Sequence, residues 1–257
     1  MEKILDAGCG STVRNTLAFY EFGCRDLTAL DIGDEWKDTA LRNLNNYEID
    51  SSFVNLVAGN ADNLPFDDNI FDFVCLDGVL PHIPTLEQLE VIFKEMARVT
   101  KLGGFFFTSY LSQGGSLMDV LDTSVRQYYR ENEQFKKFVD NISPELINML
   151  LDFIVEKTKY HTSEEIDLSQ LKILFDEDLC ITIQNTIQCH TRRNISKEYI
   201  EELLLENGFN NAKRLKRYVE RNNIRKFVSP LHYYDENEFA KLFYSNGYID
   251  CIAQKIR

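Results

Sequence analysis

Ile4-Leu5-Asp6-Ala7-Gly8-Cys9-Gly10 is the stretch of this 257-residue chain that decides its fold. The apolar residues before Gly8 predict a β-strand, Lys3–Ala7, that runs directly into a turn. Glycines at such a turn let the backbone bend sharply and come close to a ligand. The glycine pair alone does not select one ligand, because several nucleotide-binding folds place glycines after their first strand.

Strand and helix patterns alternate outward from this turn through about the first 110 residues. This alternation is typical of βαβ units around a parallel sheet, so we expect a three-layer α/β fold. Gly103-Gly104 are expected to separate the third helix from the fifth strand. The predicted strands are Lys3–Ala7, Leu27–Ile32, Phe53–Val57, Phe73–Leu76 and Phe105–Tyr110, and the predicted helices are Asn15–Phe22, Glu35–Tyr47 and Leu86–Val99.

The pattern changes after the fifth strand, which predicts three regions: a core at 1–111, a mainly helical insertion at 112–190 and a return to the core at 191–257. Insertions of this length usually form lids or binding elements. The last strand is expected to be antiparallel in an otherwise mostly parallel sheet. The further predicted elements are helices Leu117–Asn141 and Pro144–Tyr160, an ambiguous Leu171–Gln188 with a candidate strand at Cys180–Ile183, a helix starting after Ser196, and strands Ala212–Val219 and Tyr248–Lys255.

The charge of the chain argues against a surface that binds nucleic acid as a whole, because the formal net charge is -13. Residues 192–226 are the exception, with ten Lys or Arg against five Glu. This basic segment fits a solvated helix face, and it also leaves open a site for an anionic substrate such as RNA.

Targeting and metal-binding signals are not visible in the sequence. No apolar stretch approaches the roughly 20 residues that span a membrane, and no signal peptide precedes the first strand. The six cysteines form no CxxC pair, and His161, His190 and Cys189 do not make a spaced set of four ligands. We therefore expect a cytoplasmic protein with reduced thiols and no metal site.

Three residues narrow the ligand of the glycine turn. Position 13 is Val, whereas a nicotinamide fingerprint has a third glycine there. Asp6 precedes the glycines, and its negative charge opposes a pyrophosphate but suits a cationic ligand. Asp31 ends the second strand, where a carboxylate accepts hydrogen bonds from ribose hydroxyls.

Six segments resemble, in order, the motifs of the class I S-adenosylmethionine (SAM)-dependent methyltransferases, in their Rossmann-like, UbiE-like branch. The resemblance covers nearly all of residues 3–110, and residues 112–190 resemble no family that we can name. The six segments are Ile4–Gly10, Thr28–Ile32, Gly59–Phe66, Phe71–Val74, Val79–Ile83 and Arg98–Gly104.

The resemblance implies SAM as the cofactor and S-adenosyl-L-homocysteine (SAH) as the product. It implies that Gly8 and Gly10 lie under the methionine part of SAM. Asp6 would orient the amino group of that part, and Leu76 would contact the methionine end through its backbone.

The same resemblance implies the contacts of the nucleoside part. Asp31 would hold the ribose and Ile32 would pack on the adenine. Asn60 and Ala61 would meet the adenine edge. Asn60 stands where the family usually has Asp, but its amide oxygen also accepts a hydrogen bond.

The candidate catalytic residue is His82, just past the fourth strand, as a general base. A loop histidine that hydrogen-bonds to the backbone is the alternative interpretation. Asp77 and Tyr110 also lie at carboxyl ends of predicted strands, where open α/β sheets bind ligands. For both we weigh a structural role against a catalytic one.

The predicted function is transfer of a methyl group from SAM to an O or N atom of a small-molecule acceptor, in a pocket capped by residues 112–190. A homodimer is a candidate assembly, since relatives carry a helical segment before the first strand and here three residues precede Ile4. We expect the insertion or a second subunit to provide that cover. The alternatives are an RNA methyltransferase that uses the 192–226 segment, or a non-catalytic SAM-binding partner protein.

Overall fold

The structure is a computed structural model that describes residues 2–111, 117–158, 167–188, 195–210, 212–215, 242 and 248–257. Two compact units divide the chain. The first comprises Met1–Gln113, Thr191–Lys216 and Tyr248–Arg257, and the second comprises Gly114–His190 and Arg217–Gly247. The region boundaries drawn from the sequence, at 111/112 and 190/191, stay predictions.

A mostly parallel sheet forms the centre of the first unit, as predicted from the alternating pattern. Its described strands are β1 (Lys3–Ala7), β2 (Asp26–Asp31), β3 (Val54–Ala58), β4 (Phe71–Leu76), β5 (Thr100–Leu111), β6 (Lys213–Arg214) and β7 (Tyr248–Gln254). Their order is β3-β2-β1-β4-β5-β7-β6. The first five strands are parallel, and β7 pairs antiparallel with both β5 and β6. The predicted antiparallel last strand is confirmed.

Helices cover both faces of this sheet, because successive side chains of a strand point to opposite sides. The helices of this unit are α1 (Arg14–Glu21), α2 (Lys37–Asn46), α3 (Leu86–Val99) and, after the second unit, α9 (Lys197–Glu206). Leu5 and Ala7 of β1 pack in one core cluster with buried residues of α3 and α9. Ile4 packs in a second cluster with buried residues of α1 and α2. The arrangement has the three layers that the sequence predicted.

The start of β5 differs from the prediction. The strand begins at Thr100, so Gly103 and Gly104 lie inside it instead of before it. The pairing with β4 shifts register at this point, between Phe71 and Phe73. A Cβ at Gly104 would lie 2.9 Å from the carbonyl oxygen of Asp72, and this close approach of two backbones explains why a glycine stands within the strand.

The second unit is helical in its described residues, in keeping with the predicted insertion. Its helices are α4 (Leu117–Glu131), α5 (Glu133–Asp140), α6 (Pro144–Thr158), α7 (Ser169–Leu174) and α8 (Glu177–Gln188). Two expectations are wrong here. The proposed single helix Leu117–Asn141 breaks at Asn132, whose side chain accepts a hydrogen bond from the N–H of Phe135 and caps α5. The candidate strand Cys180–Ile183 lies within α8.

Asp140 holds three of these helices together. Its carboxylate accepts hydrogen bonds from Tyr129 of α4 at 2.7 Å, from Gln188 of α8 at 2.9 Å and from Lys136 of α5 at 3.0 Å. Hydrogen bonds from Tyr129, then Gln188 and Lys136, lower the pKa of Asp140 to about 2. This polar network gives the second unit a defined connection between α4, α5 and α8.

No helix among the described residues is long and apolar enough to cross a membrane. Of the predicted strand Ala212–Val219, the structure describes β6 and its immediate neighbours, and the rest lies outside the described residues.

Candidate functional site

The carboxyl ends of β1 and β4 meet where the strand order reverses, at the centre of the sheet. Open α/β sheets bind ligands at such a switch point, because the loops that follow the two strands diverge and leave a crevice. The turns after β1, β2, β3 and β4 all lie on this edge, and they contain the residues singled out from the sequence.

The turn after β1 has the geometry expected of its glycines. Gly8 and Gly10 have φ values of 73° and 62°, a left-handed backbone that favours glycine. The N–H groups of Gly8 and Cys9 donate to the carbonyl oxygen of Leu30 at 2.7 and 3.1 Å. The side chain of Val79, from the turn after β4, occupies the space that a Cβ of Gly8 would take. The two turns are therefore in direct contact.

We expect Gly8→Ala to reduce the free energy of unfolding by about 2–4 kcal/mol, because the new Cβ overlaps Val79 and the backbone is left-handed. Gly10→Ala is the matched control, since its φ is also positive but no atom lies within 4 Å of its added Cβ. It should cost about 1 kcal/mol. Urea denaturation measures both. In a double-mutant cycle with Val79→Ala, the loss of unfolding free energy caused by Gly8→Ala should become smaller. If the losses from the two substitutions simply add, the contact between Gly8 and Val79 is refuted.

Val13 ends this turn in an unusual conformation. Its φ is 44°, although a β-branched residue rarely adopts the left-handed region. The side chain is fully buried and packs in the cluster with α1 and α2. Position 13 therefore keeps a left-handed backbone although it is not a glycine, and burial of the valine side chain helps to offset the strain.

Asp6 lies beneath the same turn and is 1% exposed. Its Oδ2 accepts hydrogen bonds from the N–H of Thr16 at 3.0 Å and from the Thr16 hydroxyl at 2.7 Å. Thr16 is the third residue of α1, so the carboxylate satisfies one of the unpaired N–H groups of that helix. Among the described residues, no group donates to Oδ1. Burial raises the pKa of Asp6 to about 6, against the lowering effect of the Thr16 hydroxyl.

The buried, unsatisfied Oδ1 of Asp6 fits a site for a cationic ligand, because a nearby positive charge would offset the cost of burying this carboxylate.

Cys9, in the turn itself, is not a nucleophile candidate. Burial, and then the carboxylates of Asp6 and Asp31, raise the pKa of its thiol far above the usual range.

The predicted nucleoside residues follow β2 and β3. Asp31 accepts hydrogen bonds from the N–H of Gly10 through Oδ2 and from the N–H of Ile32 through Oδ1, both at 2.7 Å. It therefore holds the glycine turn, and its assignment to a ribose stays a prediction. Ile32 is 70% exposed, which leaves an apolar surface beside this carboxylate for an aromatic base. Asn60 is exposed and Ala61 is half-buried.

Arg98 fixes the loop that carries Asn60 and Ala61. Its guanidinium donates to the carbonyl oxygens of Phe66 at 2.7 Å and Leu64 at 3.1 Å, and it pairs with Glu95 at 2.7 Å. Glu95 in turn accepts from the N–H of Leu64 at 2.8 Å. The sequence showed Arg98 only as part of a resembling segment, and the structure shows that it ties α3 to the loop after β3.

We expect Arg98→Ala to lower the free energy of unfolding by about 2–4 kcal/mol, because two loop carbonyls and Glu95 lose a charged donor. Arg98→Lys is the matched control, since it keeps the charge but not the planar fork, and it should recover less than half of the loss. Urea denaturation measures both variants. Equal stability of Arg98→Lys and the unsubstituted protein would contradict the role of the fork.

Several of the predicted residues cluster around the end of β4. Leu76 is fully buried, and its carbonyl oxygen accepts from the Thr108 hydroxyl at 3.0 Å. His82 ends a short 3₁₀ turn, Leu80–His82, and its side chain is exposed. Its role as a base stays a prediction. Asp77 is half-buried and hydrogen-bonds with Ser109 of β5, a partner that no local pattern in the sequence reveals.

Tyr110 is the remaining candidate near the carboxyl end of a strand, β5. Tyr110 is 1% exposed, and it lines a cavity of about 60 Å³ with Ile200 and Ile249. Burial raises the pKa of its hydroxyl well above the usual range, so the structure places it in the core. Most of the basic residues of 192–226, together with His161, Cys189 and His190, lie outside the described residues.

Known proteins resemble this chain mainly in one part. Residues 5–108 match the family described as "Methyltransferase domain". A demethylmenaquinone methyltransferase of Staphylococcus epidermidis is 36% identical over 113 residues, which are 43% of this chain and 44% of that protein. A demethylmenaquinone methyltransferase of Listeria welshimeri is 33% identical over 102 residues, which are 39% of this chain and 41% of that protein. The chain thus covers less than half the length of these curated relatives.

Solved structures resemble the chain over a greater length. A structure of a SAM-dependent methyltransferase from Methanosarcina mazei matches with a TM-score of 0.51 and 17% identity, over 99% of this chain and 92% of that one. At this identity the match supports the fold alone.

Proposed function

We propose that this protein, whose residues 5–108 match the family described as "Methyltransferase domain", is a class I SAM-dependent methyltransferase that transfers a methyl group from SAM to an oxygen or nitrogen atom of a small molecule. The observation that carries the proposal is the pair of carboxylates around the glycine turn. Asp6 is buried beneath the turn with an unsatisfied oxygen, and Asp31 holds the turn from the end of β2.

The residues of this edge fit SAM by charge and by shape. When bound, SAM supplies a methyl group on a positively charged sulfur, which needs no further activation. Asp6 offers a negative charge to the ammonium group of the methionine part, and Gly10, where an added Cβ would have no atom within 4 Å, leaves room for it. Asp31 offers acceptors to the ribose hydroxyls, and the exposed side chain of Ile32 offers an apolar surface to the adenine.

The chemical demands on the protein are modest after the cofactor is bound. Holding the nucleophile and the methyl group in line, about 3–3.5 Å apart and away from water, supplies much of the rate. A general base is useful for a hydroxyl acceptor and less so for a neutral amine. His82 remains our candidate base, on its position after β4.

The acceptor that we propose differs from the one in the name of the curated relatives. Their name gives demethylmenaquinone as the acceptor, but this chain covers less than half of their length. We therefore propose that residues 112–190, which follow the segment matched by the family model, select the acceptor. This would make the acceptor specific to this protein.

Two measurements test the proposed function. Isothermal titration calorimetry should show binding of SAM and SAH in the micromolar range, and absence of binding to the folded protein would refute the proposal. Radiolabelled SAM is then offered with phenols, amines, demethylmenaquinone and total RNA. Transfer to a phenol or amine supports the proposal. Transfer to demethylmenaquinone or RNA alone, or binding with no transfer to any acceptor, contradicts it and favours the corresponding alternative.

A further inference from the structure

The turn after β4 holds an acidic side chain, Asp77, that is not one of the residues proposed to bind SAM. Asp77 is the first residue after the strand, and its Oδ1 accepts a hydrogen bond from the Ser109 hydroxyl. The N–H of Gly78 donates to the same hydroxyl oxygen at 2.7 Å. On the other side, the amide of Asn15 donates to Oδ2 at 3.4 Å. Three elements, the turn itself, β5 and α1, therefore determine where this carboxylate lies.

The position of Asp77 is beside the glycine turn. Asn15 is the second residue of α1, the helix that begins where the glycine turn ends. Val79, two residues after Asp77, contacts Gly8. After burial, the carboxylates of Asp6 and Asp77 are the strongest influences that raise the pKa of the Cys75 thiol, so both carboxylates lie around the end of β4.

The two carboxylates differ in a way that suggests different partners. Asp6 is almost completely buried, and its unsatisfied Oδ1 is the natural partner for the one ammonium group that the cofactor carries. Asp77 is half-buried, so part of its surface remains exposed at the end of β4. A carboxylate has about four acceptor sites, so Asp77 can accept a further hydrogen bond from a ligand in the crevice beside those from Ser109 and Asn15.

We propose that Asp77 contacts the methyl acceptor and accepts a hydrogen bond from the N–H or O–H group that is to be methylated. Ser109 is the positioning residue, because it joins the Asp77 carboxylate to the Gly78 N–H and so fixes the side chain and the turn together. This inference rests on the proposed function and refines its substrate class. The acceptor would present a neutral N–H or O–H group at its reacting atom, since a protonated amine has no lone pair to attack the methyl group and an anionic group there would be repelled by Asp77.

A pair of cofactor analogues tests this without knowledge of the acceptor. Sinefungin carries an amine-bearing carbon in place of the methylated sulfur of SAM, so its extra ammonium group occupies the position of the transferred methyl. SAH has no group at that position. If Asp77 faces the acceptor side, the protein should bind sinefungin more tightly than SAH. Asp77→Asn should then weaken sinefungin at least about tenfold, because a charge-assisted hydrogen bond is lost, and should leave SAH within about twofold.

The other outcomes are equally informative. An equal loss for both ligands would mean that Asp77 binds a part of the cofactor that they share, and would overturn the proposal. Unchanged affinity for both would also overturn it. If the unsubstituted protein binds neither ligand, the proposed function itself fails, which is a distinct result. Asp72→Asn is the matched control, since Asp72 lies at the other end of β4 and pairs with Lys101; both affinities should be unchanged.

Substitutions at Ser109 test the positioning role. Ser109→Ala removes the bridging hydroxyl and should reduce the preference for sinefungin over SAH about threefold or more, while Ser109→Thr, which keeps a hydroxyl, should restore most of it. A purely structural role would change the melting temperature without changing this preference. An unchanged preference in the folded Ser109→Ala protein would therefore refute the positioning role.

Discussion

Asp31→Ala is expected to weaken SAM binding by roughly two orders of magnitude, the largest loss that we predict for a single side chain. Two effects combine. The carboxylate holds the glycine turn through the N–H of Gly10 at 2.7 Å, and it is the proposed acceptor for the ribose hydroxyls. A carboxylate has about four acceptor sites, so the hydrogen bonds from Gly10 and Ile32 leave capacity for a ribose.

Calorimetric titration of Asp31→Ala measures this loss, with methylthioadenosine as a second ligand. Methylthioadenosine keeps the adenine and ribose of SAM but lacks the amino acid part. Because Asp31 is assigned to the ribose, affinities for both ligands should fall by a similar factor. Asp34→Ala is the control, since Asp34 lies three residues further along the same loop and pairs with Lys37 on the surface. SAM affinity of Asp31→Ala within threefold of the unsubstituted protein would overturn the assignment.

Asp6→Asn is expected to have two opposite effects, a more stable protein without ligand and a weaker hold on SAM. The pKa of Asp6 is raised to about 6, chiefly by burial. A raised carboxyl pKa means that the folded state favours the protonated form. The contribution of Asp6 to the free energy of unfolding is therefore largest below about pH 4, and it is lost as the pH rises from about 4 to about 6. Two pKa units correspond to about 3 kcal/mol.

Replacement of the Asp6 carboxylate by the neutral amide of Asn should recover the unfolding free energy that is lost above about pH 6. At pH 8 and without ligand, Asp6→Asn should melt several degrees higher than the unsubstituted protein, and at pH 4 the two should melt together. Thermal denaturation at the two pH values measures the difference. A lower melting temperature for Asp6→Asn at pH 8 would show that the carboxylate stabilises the fold.

A control with the opposite sign is available on β4. Asp72 accepts hydrogen bonds from Lys101 and from the N–H of Lys3, both at 2.8 Å, and these lower its pKa. Its contribution to stability is present at neutral pH and is lost as the pH falls below about 4. Asp72→Asn should therefore lower the melting temperature at pH 8, where Asp6→Asn raises it.

The ligand-binding effect of Asp6→Asn separates the two parts of SAM. Affinity for SAM should fall about tenfold to a hundredfold, because the ammonium group loses its charged partner. Affinity for methylthioadenosine, which has no ammonium group, should stay within about twofold. A parallel loss for both ligands would mean that Asp6 acts on the whole turn, and the assignment to the amino group would be wrong.

Local patterns were sufficient for much of the fold. The bounds of β1 and α3 agree with the prediction, because an apolar strand before a glycine turn and an apolar helical period are both short-range signals. The failures have the same origin. A short apolar run such as Cys180–Ile183 fits a buried strand and a helix equally well, and only packing decides between them. Asn132 can cap a helix, but it lies within a long helical pattern, and the sequence alone does not show that the helix breaks there.

The sequence by itself determined where the candidate binding residues lie along the chain, with Asp6 and Asp31 at the ends of neighbouring strands and the glycines between them. This follows from local geometry, since the carboxyl ends of parallel strands share one edge of a sheet. The partners of these residues were decided only by the tertiary structure. The hydroxyl of Thr16 reaches Asp6 from ten residues away and Ser109 reaches Asp77 from 32 residues away. Such contacts depend on strand register and helix packing, and no spacing in the sequence specifies them.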